Sequence, residues 1–176
     1  MRRQIGIARP NIGPLTDRML LGSGDTVHER LVQPRVEPEI GLRLQTALDA
    51  RHAPVDRHTV VAAVEGAYAC LEVVHSTWTG YRFNLEQNTA DNSSAGQVVV
   101  GPRLPVTDLM AAGTVAVRLH DGRGHTQGQG VSADADGHPL DAVARLAGDW
   151  VITGELTKAC ALEMGGGVFC GGRGVS

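Results

Sequence analysis

Short period-two runs and short apolar runs recur along this chain, and they predict strands more often than helices. Residues 1–30 are rich in Gly and Pro and read as loop with short extended pieces. Leu31 to Leu44 reads as a strand, with a period-two set among Val36, Ile40, Leu42 and Leu44. Asp56 to Val74 reads as a helix capped by Asp56, because Val60, Val61, Val64, Ala67, Tyr68 and Leu71 recur at helical spacing. Val73 and Val74 are also compatible with the start of a strand. Gln97 to Val100 reads as a short buried strand ended by Gly101-Pro102. Val115 to Leu119 and Thr126 to Gln129 flank Asp121-Gly122, a strong hairpin signal. Pro139 to Leu146 reads as a short helix and Val151 to Thr153 as a strand, while Gly165 to Ser176 is Gly-rich and weakly patterned. No repeat or linker interrupts the pattern, so residues 1–176 are expected to form one domain, mostly β with two helices.

Composition narrows the class. The 176 residues are 42% hydrophobic and 20% charged, with a net charge of −3, which argues against a disordered chain, a collagen-like repeat and a basic nucleic-acid-binding domain. With two each of Trp, Tyr and Phe, the core must be built from Ala, Val and Leu. Fifteen of the sixteen basic residues are Arg, and Lys158 is the single lysine. Cys70, Cys160 and Cys170 form an odd set with no CxxC, which reads as three reduced thiols in a cytoplasmic protein. The basic start, Met1-Arg2-Arg3, is not followed by the apolar stretch of a signal peptide, and no run approaches the roughly 20 apolar residues that cross a bilayer.

The most informative local feature is Pro34-Arg35-Val36-Glu37-Pro38-Glu39-Ile40. In an extended strand Glu37 and Glu39 point one way, and Val36, Pro38 and Ile40 point to the opposite, apolar side. Carboxylates this close repel unless something positive lies between them, and a hard divalent cation is one answer. Glu72, set among apolar neighbours in Cys70-Leu71-Glu72-Val73-Val74, is a third acid that needs a partner. Together the three make a candidate Mg2+ or Mn2+ site with positions left for a chelating substrate. A solvated acidic face, neutralised by the abundant arginines, is the competing reading. Pro38 cannot donate to a ladder, which points to an edge strand or a bulge. Thr89 to Gly96 carries many small polar groups before an apolar strand, either as a donor-rich binding loop or as an ordinary Asx or Ser turn. In Thr153-Gly154-Glu155-Leu156-Thr157-Lys158-Ala159, Thr157 and Lys158 are placed to reach an anion. The seven histidines form no HxH or HxxxH pair, so His75, His120 and His138 read as surface or packing residues, and neither a GxGxxG in a βαβ context nor a GxSxG is present.

These segments, in this order, resemble the fumarylacetoacetate hydrolase superfamily, and within it the 2-keto-4-pentenoate hydratase and 2-oxo-3-hexenedioate decarboxylase branch. The matching stretches are Met19 to Asp25, Gln33 to Ile40, Leu71 to Val74, Ala90 to Gly96, Gly137 to Leu140 and Ile152 to Ala159. The resemblance implies the mixed β-roll of that superfamily's C-terminal domain and a Mg2+ or Mn2+ ion on Glu37, Glu39 and Glu72. It also implies a small 2-keto or 2-hydroxy-dienoic acid substrate from aromatic-compound degradation, bound near Ser93, Ser94 and Thr157, and a homo-oligomer. The implied reaction is water addition to 2-hydroxypenta-2,4-dienoate, with decarboxylation of 2-oxo-3-hexenedioate, or a catalytically impaired relative that binds metal or keto acid, as alternatives. The chain is expected to lack the family's N-terminal helical segment, and Gln4 stands where the family has a lysine. Gln is neither a general base nor a cation, so the acid/base residue is left unassigned. His75 and Thr77 replace a polar pair, often an acid and an Arg, after the third metal position.

Overall fold

The structure, a computed structural model, describes residues 11–51, 53–105, 115–134, 138–152, 159–163 and 168–171. Among them a seven-stranded mixed sheet runs in the order β1-β9-β8-β3-β4-β5-β2. Its strands are β1 (Ile12–Leu15), β2 (Leu20–Gly22), β3 (Arg35–Leu44), β4 (Val64–Val74), β5 (Gln97–Leu104), β8 (Ala159–Glu163) and β9 (Val168–Gly171). The outer pairs β1–β9 and β2–β5 are parallel, and the remaining pairs are antiparallel. A separate hairpin joins β6 (Ala116–His120) to β7 (Thr126–Val131), and the helices are α1 (Arg57–Ala63), α2 (Leu85–Ala90) and α3 (Pro139–Asp149). Among the described residues this is a mostly β fold with three α-helices, and none of those helices is long and apolar enough to cross a membrane.

Side-chain alternation on β3 divides the molecule. Ile40, Leu42 and Leu44 face a layer made by α1 and α3 and join the main core with Val60, Ala63, Leu140, Val143, Leu146 and Ala147. Each of these larger side chains contributes about 1.5–3 kcal/mol by leaving water. Helix α3 begins where His138 Nδ1 accepts from the Leu140 amide and Pro139 occupies the first turn, and its apolar residues recur on one stripe. Asp56 caps α1 by accepting from the Thr59 amide at 2.8 Å. Arg57 holds the two helices together through a two-pronged pair with Asp141 at 2.5 and 2.6 Å. The opposite face of β3 carries Glu37 and Glu39.

Several expectations need correction. The helical pattern from Asp56 to Val74 is helix only as far as Ala63, and Val64–Val74 is strand β4. Strand β4 lies between β3 and β5 with most residues buried, so its near-continuous apolar run mimics helical spacing. Strand β3 starts at Arg35 rather than Leu31, because Gln33 takes a left-handed turn at φ 52°. It is a central strand, not an edge. Pro38 is tolerated because the β8 register covers only Glu39 to Arg43, leaving β4 as its neighbour. The irregularity in the β3–β4 ladder falls at Arg43/Leu44 instead. Val36 is 45% exposed, near the end of the strand beyond the packed layer.

Strand β5 does not stop at Gly101-Pro102 but continues to Leu104. Gly101 and Pro102 together oppose the single residue Ala69, so a bulge absorbs the proline. The close approach needs glycine, since a Cβ at Gly101 would stand 2.6 Å from the Ala69 carbonyl oxygen. Helix α3 runs three residues beyond Leu146, and the strand expected at Val151 is a single bridge from Ile152 to Leu48. The hairpin at Asp121-Gly122 is present, with Asp121 Oδ1 accepting from the amides of Arg123 and His125 at 2.9 Å.

Candidate metal centre

The β3–β4 ladder places Glu37 directly opposite Glu72, and Glu39 opposite Cys70. Directly opposed side chains on an antiparallel pair have Cβ atoms about 4.5–5.5 Å apart, and like charges there are unfavourable. One carboxylate oxygen from each of Glu37, Glu39 and Glu72 lies within 4.8 Å of the others. Glu72 is fully buried and Glu39 is 4% exposed. Both Glu72 oxygens and Glu37 Oε2 are buried with no hydrogen-bond donor. Burial first, and the Glu37 carboxylate second, push the Glu72 carboxyl well above its ordinary value of 4.5.

The arginine alternative can be checked directly. Arg43 pairs with Glu65 at 3.0 Å, Arg51 with Asp49 at 2.7 Å and Arg57 with Asp141 at 2.5 Å. None of these contacts supplies a donor to Glu72. Three convergent all-oxygen side chains, two buried and one half-buried, match what a hard divalent cation requires, so the residues present fit such an ion. Burial also pushes the Cys70 thiol up, so it stays neutral and packs with Leu15, Ala95 and Val98.

A loop beside the end of β4 adjoins this cluster along the strand. Asn92, Ser93 and Ser94 are three consecutive non-glycine residues at φ 50°, 57° and 64°. Such residues cost about 1–2 kcal/mol each in the left-handed region, so the surrounding contacts must impose the turn. The Ser94 amide donates to Asp91 O and the Ala95 amide to Asn92 O, while Asn92 Nδ2 donates to Pro14 O. The His75 amide donates to Ser94 O at 2.9 Å, tying the turn to β4 three residues beyond Glu72. Asn88, buried on α2, donates from Nδ2 to Ser94 Oγ at 3.1 Å and accepts from Asn11 Nδ2 at 2.9 Å. Because Asn88 satisfies the acceptor side of that hydroxyl, Ser94 keeps its O–H proton to donate elsewhere.

The carboxylate of Asp91 is the hub of this loop. It accepts from Ser76 Oγ at 3.1 Å, from the Thr77 amide at 3.2 Å and from Thr77 Oγ1 at 3.0 Å. Gly96 closes the loop against β4, where an added Cβ would collide with the Val73 carbonyl oxygen. Gly96→Ala is therefore expected to destabilise the fold by about 2 kcal/mol, because rigid backbone rather than a movable side chain blocks it. Urea unfolding measures this, and an unchanged midpoint would contradict the close approach.

Of the site residues read from sequence, Glu37, Glu39 and Glu72 come together, and Ser93 and Ser94 are both buried in the adjoining turn. Thr157 lies outside the described residues, as do Gln4 and Lys158. The reading missed Asn88, which has no local signature. It also missed the role of Asp91, although Asp91 stands in the quoted Ala90-to-Gly96 motif. His138 caps a helix, consistent with a packing role.

Comparison with known proteins now adds to this geometry. No protein-family model matches the chain. It is 33% identical over 154 residues to the 2-hydroxypent-2,4-dienoate hydratase of Pseudomonas putida, covering 84% of this chain and 66% of that protein. It is also 33% identical over 181 residues to the 4-oxalocrotonate decarboxylase of a Pseudomonas species, covering 95% of this chain and 68% of that protein. The chain belongs to the 2-keto-4-pentenoate hydratase and 4-oxalocrotonate decarboxylase family. It spans about two thirds of the length of these curated relatives. Among solved structures, the 4-oxalocrotonate decarboxylase from Pseudomonas putida G7, complexed with magnesium and adipate, superposes with a TM-score of 0.72. That match has 23% sequence identity and covers 97% of this chain and 72% of the other, and it confirms the fold of this family.

Proposed function

We propose that this chain carries the metal-dependent core of a hydratase that adds water to 2-hydroxypenta-2,4-dienoate, giving 4-hydroxy-2-oxopentanoate. The observation that carries the reading is the convergent Glu37–Glu39–Glu72 set, in a chain 33% identical to a 2-hydroxypent-2,4-dienoate hydratase. Glu37, Glu39 and Glu72 would hold a Mg2+ or Mn2+ ion. When bound, that ion supplies Lewis-acid polarisation of the 2-keto and carboxylate oxygens of the substrate.

The chain's own residues then have distinct tasks. Glu72 and Glu39, buried in the sheet, fix the ligand geometry, and Glu37 closes the site from the opposite strand position. The Ser94 hydroxyl, its lone pair engaged by Asn88, donates a hydrogen bond to a substrate oxygen, and Ser93 lines the same turn. Thr157 belongs to the proposed substrate site by its place in the Thr153–Ala159 segment. A homo-oligomer acting on a small keto acid in the cytoplasm completes the proposal. A second reading, decarboxylation of 2-oxo-3-hexenedioate, is favoured by the equal identity to a 4-oxalocrotonate decarboxylase over 95% of this chain.

Calorimetry with Mn2+, followed by ultraviolet assays on both substrates, tests the reading. Mn2+ binding lost in Glu37→Gln, together with turnover of the dienoate, is the expected result. No Mn2+ binding by the wild-type chain would overturn it.

A further inference from the structure

Arg35 lies on β3 two positions before Glu37, on the same face as Glu37 and Glu39. Two residues of strand span about 6.6 Å, the scale of a short dicarboxylate. The guanidinium carbon lies over the Tyr81 ring, 3.9 Å from its centroid. Tyr81 is itself fixed. Its backbone takes a left-handed φ of 58°, and its hydroxyl donates to Gln33 O at 3.0 Å. Gln33 in turn donates from Nε2 to Ser76 O and Trp78 O and accepts from the Gly80 amide. Gln33, two residues before β3, and the turn after β4 thus form one platform beneath the Arg35 guanidinium.

The charges acting on the Tyr81 phenol are Arg35, Glu37, Asp91 and Glu72, so Arg35 is the cation in an otherwise anionic group. Burial pushes that phenol up to about 12, with Arg35 opposing the rise and the three carboxylates adding to it. Among the described residues Arg35 makes no ion pair, although it is exposed and next to this acidic set. A guanidinium seated over an aromatic ring, its N–H groups without a hydrogen-bond partner among the described residues, is prepared for a two-pronged carboxylate contact. Three carboxylates and one divalent ion leave the centre at a net −1, so a doubly charged substrate needs a further cation.

The geometry points to Arg35 as a specificity-determining residue that receives a second carboxylate, the one remote from the metal, on a 2-keto dicarboxylic substrate. This deepens the proposed function and rests on its metal-held keto acid. It gives the decarboxylase reading a named determinant.

The test uses a matched pair of unreactive ligands, 2-oxoadipate and 2-oxohexanoate, titrated into the Mn2+-loaded chain by calorimetry. The wild type is expected to prefer the diacid by about 10-fold or more, the range of a charge-assisted pair. Arg35→Gln should remove that preference and leave the affinities for Mn2+ and 2-oxohexanoate unchanged. Arg35→Lys, which keeps the charge but loses the fork, should retain part of it. An absent preference in the wild type, or one that survives in both variants, overturns the assignment. So does an equal loss for both ligands, which marks Arg35 as structural. Failure of the wild type to bind Mn2+ overturns the proposed function itself, and this assignment falls with it.

Discussion

Glu72→Gln is expected to weaken Mn2+ binding by about 100-fold or more, since loss of even a hydrogen-bond partner to a metal ligand costs 10–100-fold. The same substitution is expected to stabilise the metal-free chain at neutral pH. Glu72 is fully buried, has no donor on either oxygen and faces Glu37 across the ladder. Its carboxyl is held well above 4.5 by burial first and Glu37 second, so the folded state binds its proton more tightly than the unfolded state does. The stability from that proton is fully present below pH 4.5 and is lost as pH rises through the elevated folded value. In EDTA the wild-type melting temperature should therefore fall as pH increases above 4.5, and Glu72→Gln should remove that part of the fall. Added Mn2+ should raise the wild type and leave the variant almost unmoved, because a ligand stabilises only the state that binds it. Thermal melts across pH, with EDTA and with Mn2+, give the four curves. Parallel pH slopes in the two proteins, or equal stabilisation by Mn2+, would show that Glu72 is not the buried ligand.

How far the sequence carries this argument depends on how local each determinant is. The convergence of the three carboxylates was legible because strand alternation puts Glu37 and Glu39 on one side and an acid inside an apolar run demands a partner. The hairpin at Asp121-Gly122 and the start of α3 at Pro139 were also visible, since both are set by two or three adjacent residues. The helix–strand boundary at Ala63/Val64 was not, because a strand buried on both faces has no polar alternation to mark it. The central place of β3 was hidden too. Pro38 signals an edge, and only the distant register of β8, ending at Glu39, shows why it fits. The support of the site was least legible. Asn88 reaches Ser94 from another element, Gln33 reaches Trp78 across 45 residues, and Arg35 gains its meaning only from Tyr81.

Asp91→Ala is expected to lower stability by about 3 kcal/mol, because one carboxylate is the shared acceptor of three donors and charged hydrogen bonds are worth roughly 1.5–3 kcal/mol each, though not additively. Ser76 is fully buried, so its hydroxyl finds no water in exchange. The functional effect runs through geometry. Asp91 O also receives the Ser94 amide, and its side chain ties Ser76 and Thr77 to the Asn92–Ser94 turn. Without it the three left-handed residues lose their anchor, and relaxation toward ordinary φ swings Ser94 away from its hydrogen bond with Asn88. If Ser94 binds substrate as proposed, Asp91 acts as a positioning residue. Its loss should lower kcat/KM by about 10-fold, the scale of one misplaced hydrogen-bond donor, while Mn2+ affinity stays near wild type because Glu37, Glu39 and Glu72 are carried by the β3–β4 ladder. Asp91→Asn, which keeps an acceptor for the Thr77 amide, should recover part of both losses. Titrating Mn2+ into each variant alongside the kinetics separates the two halves of the site. If Mn2+ affinity fell in step with kcat/KM, the turn and the metal ladder would be one cooperative unit, and the division of labour between Asp91 and Glu72 would be wrong.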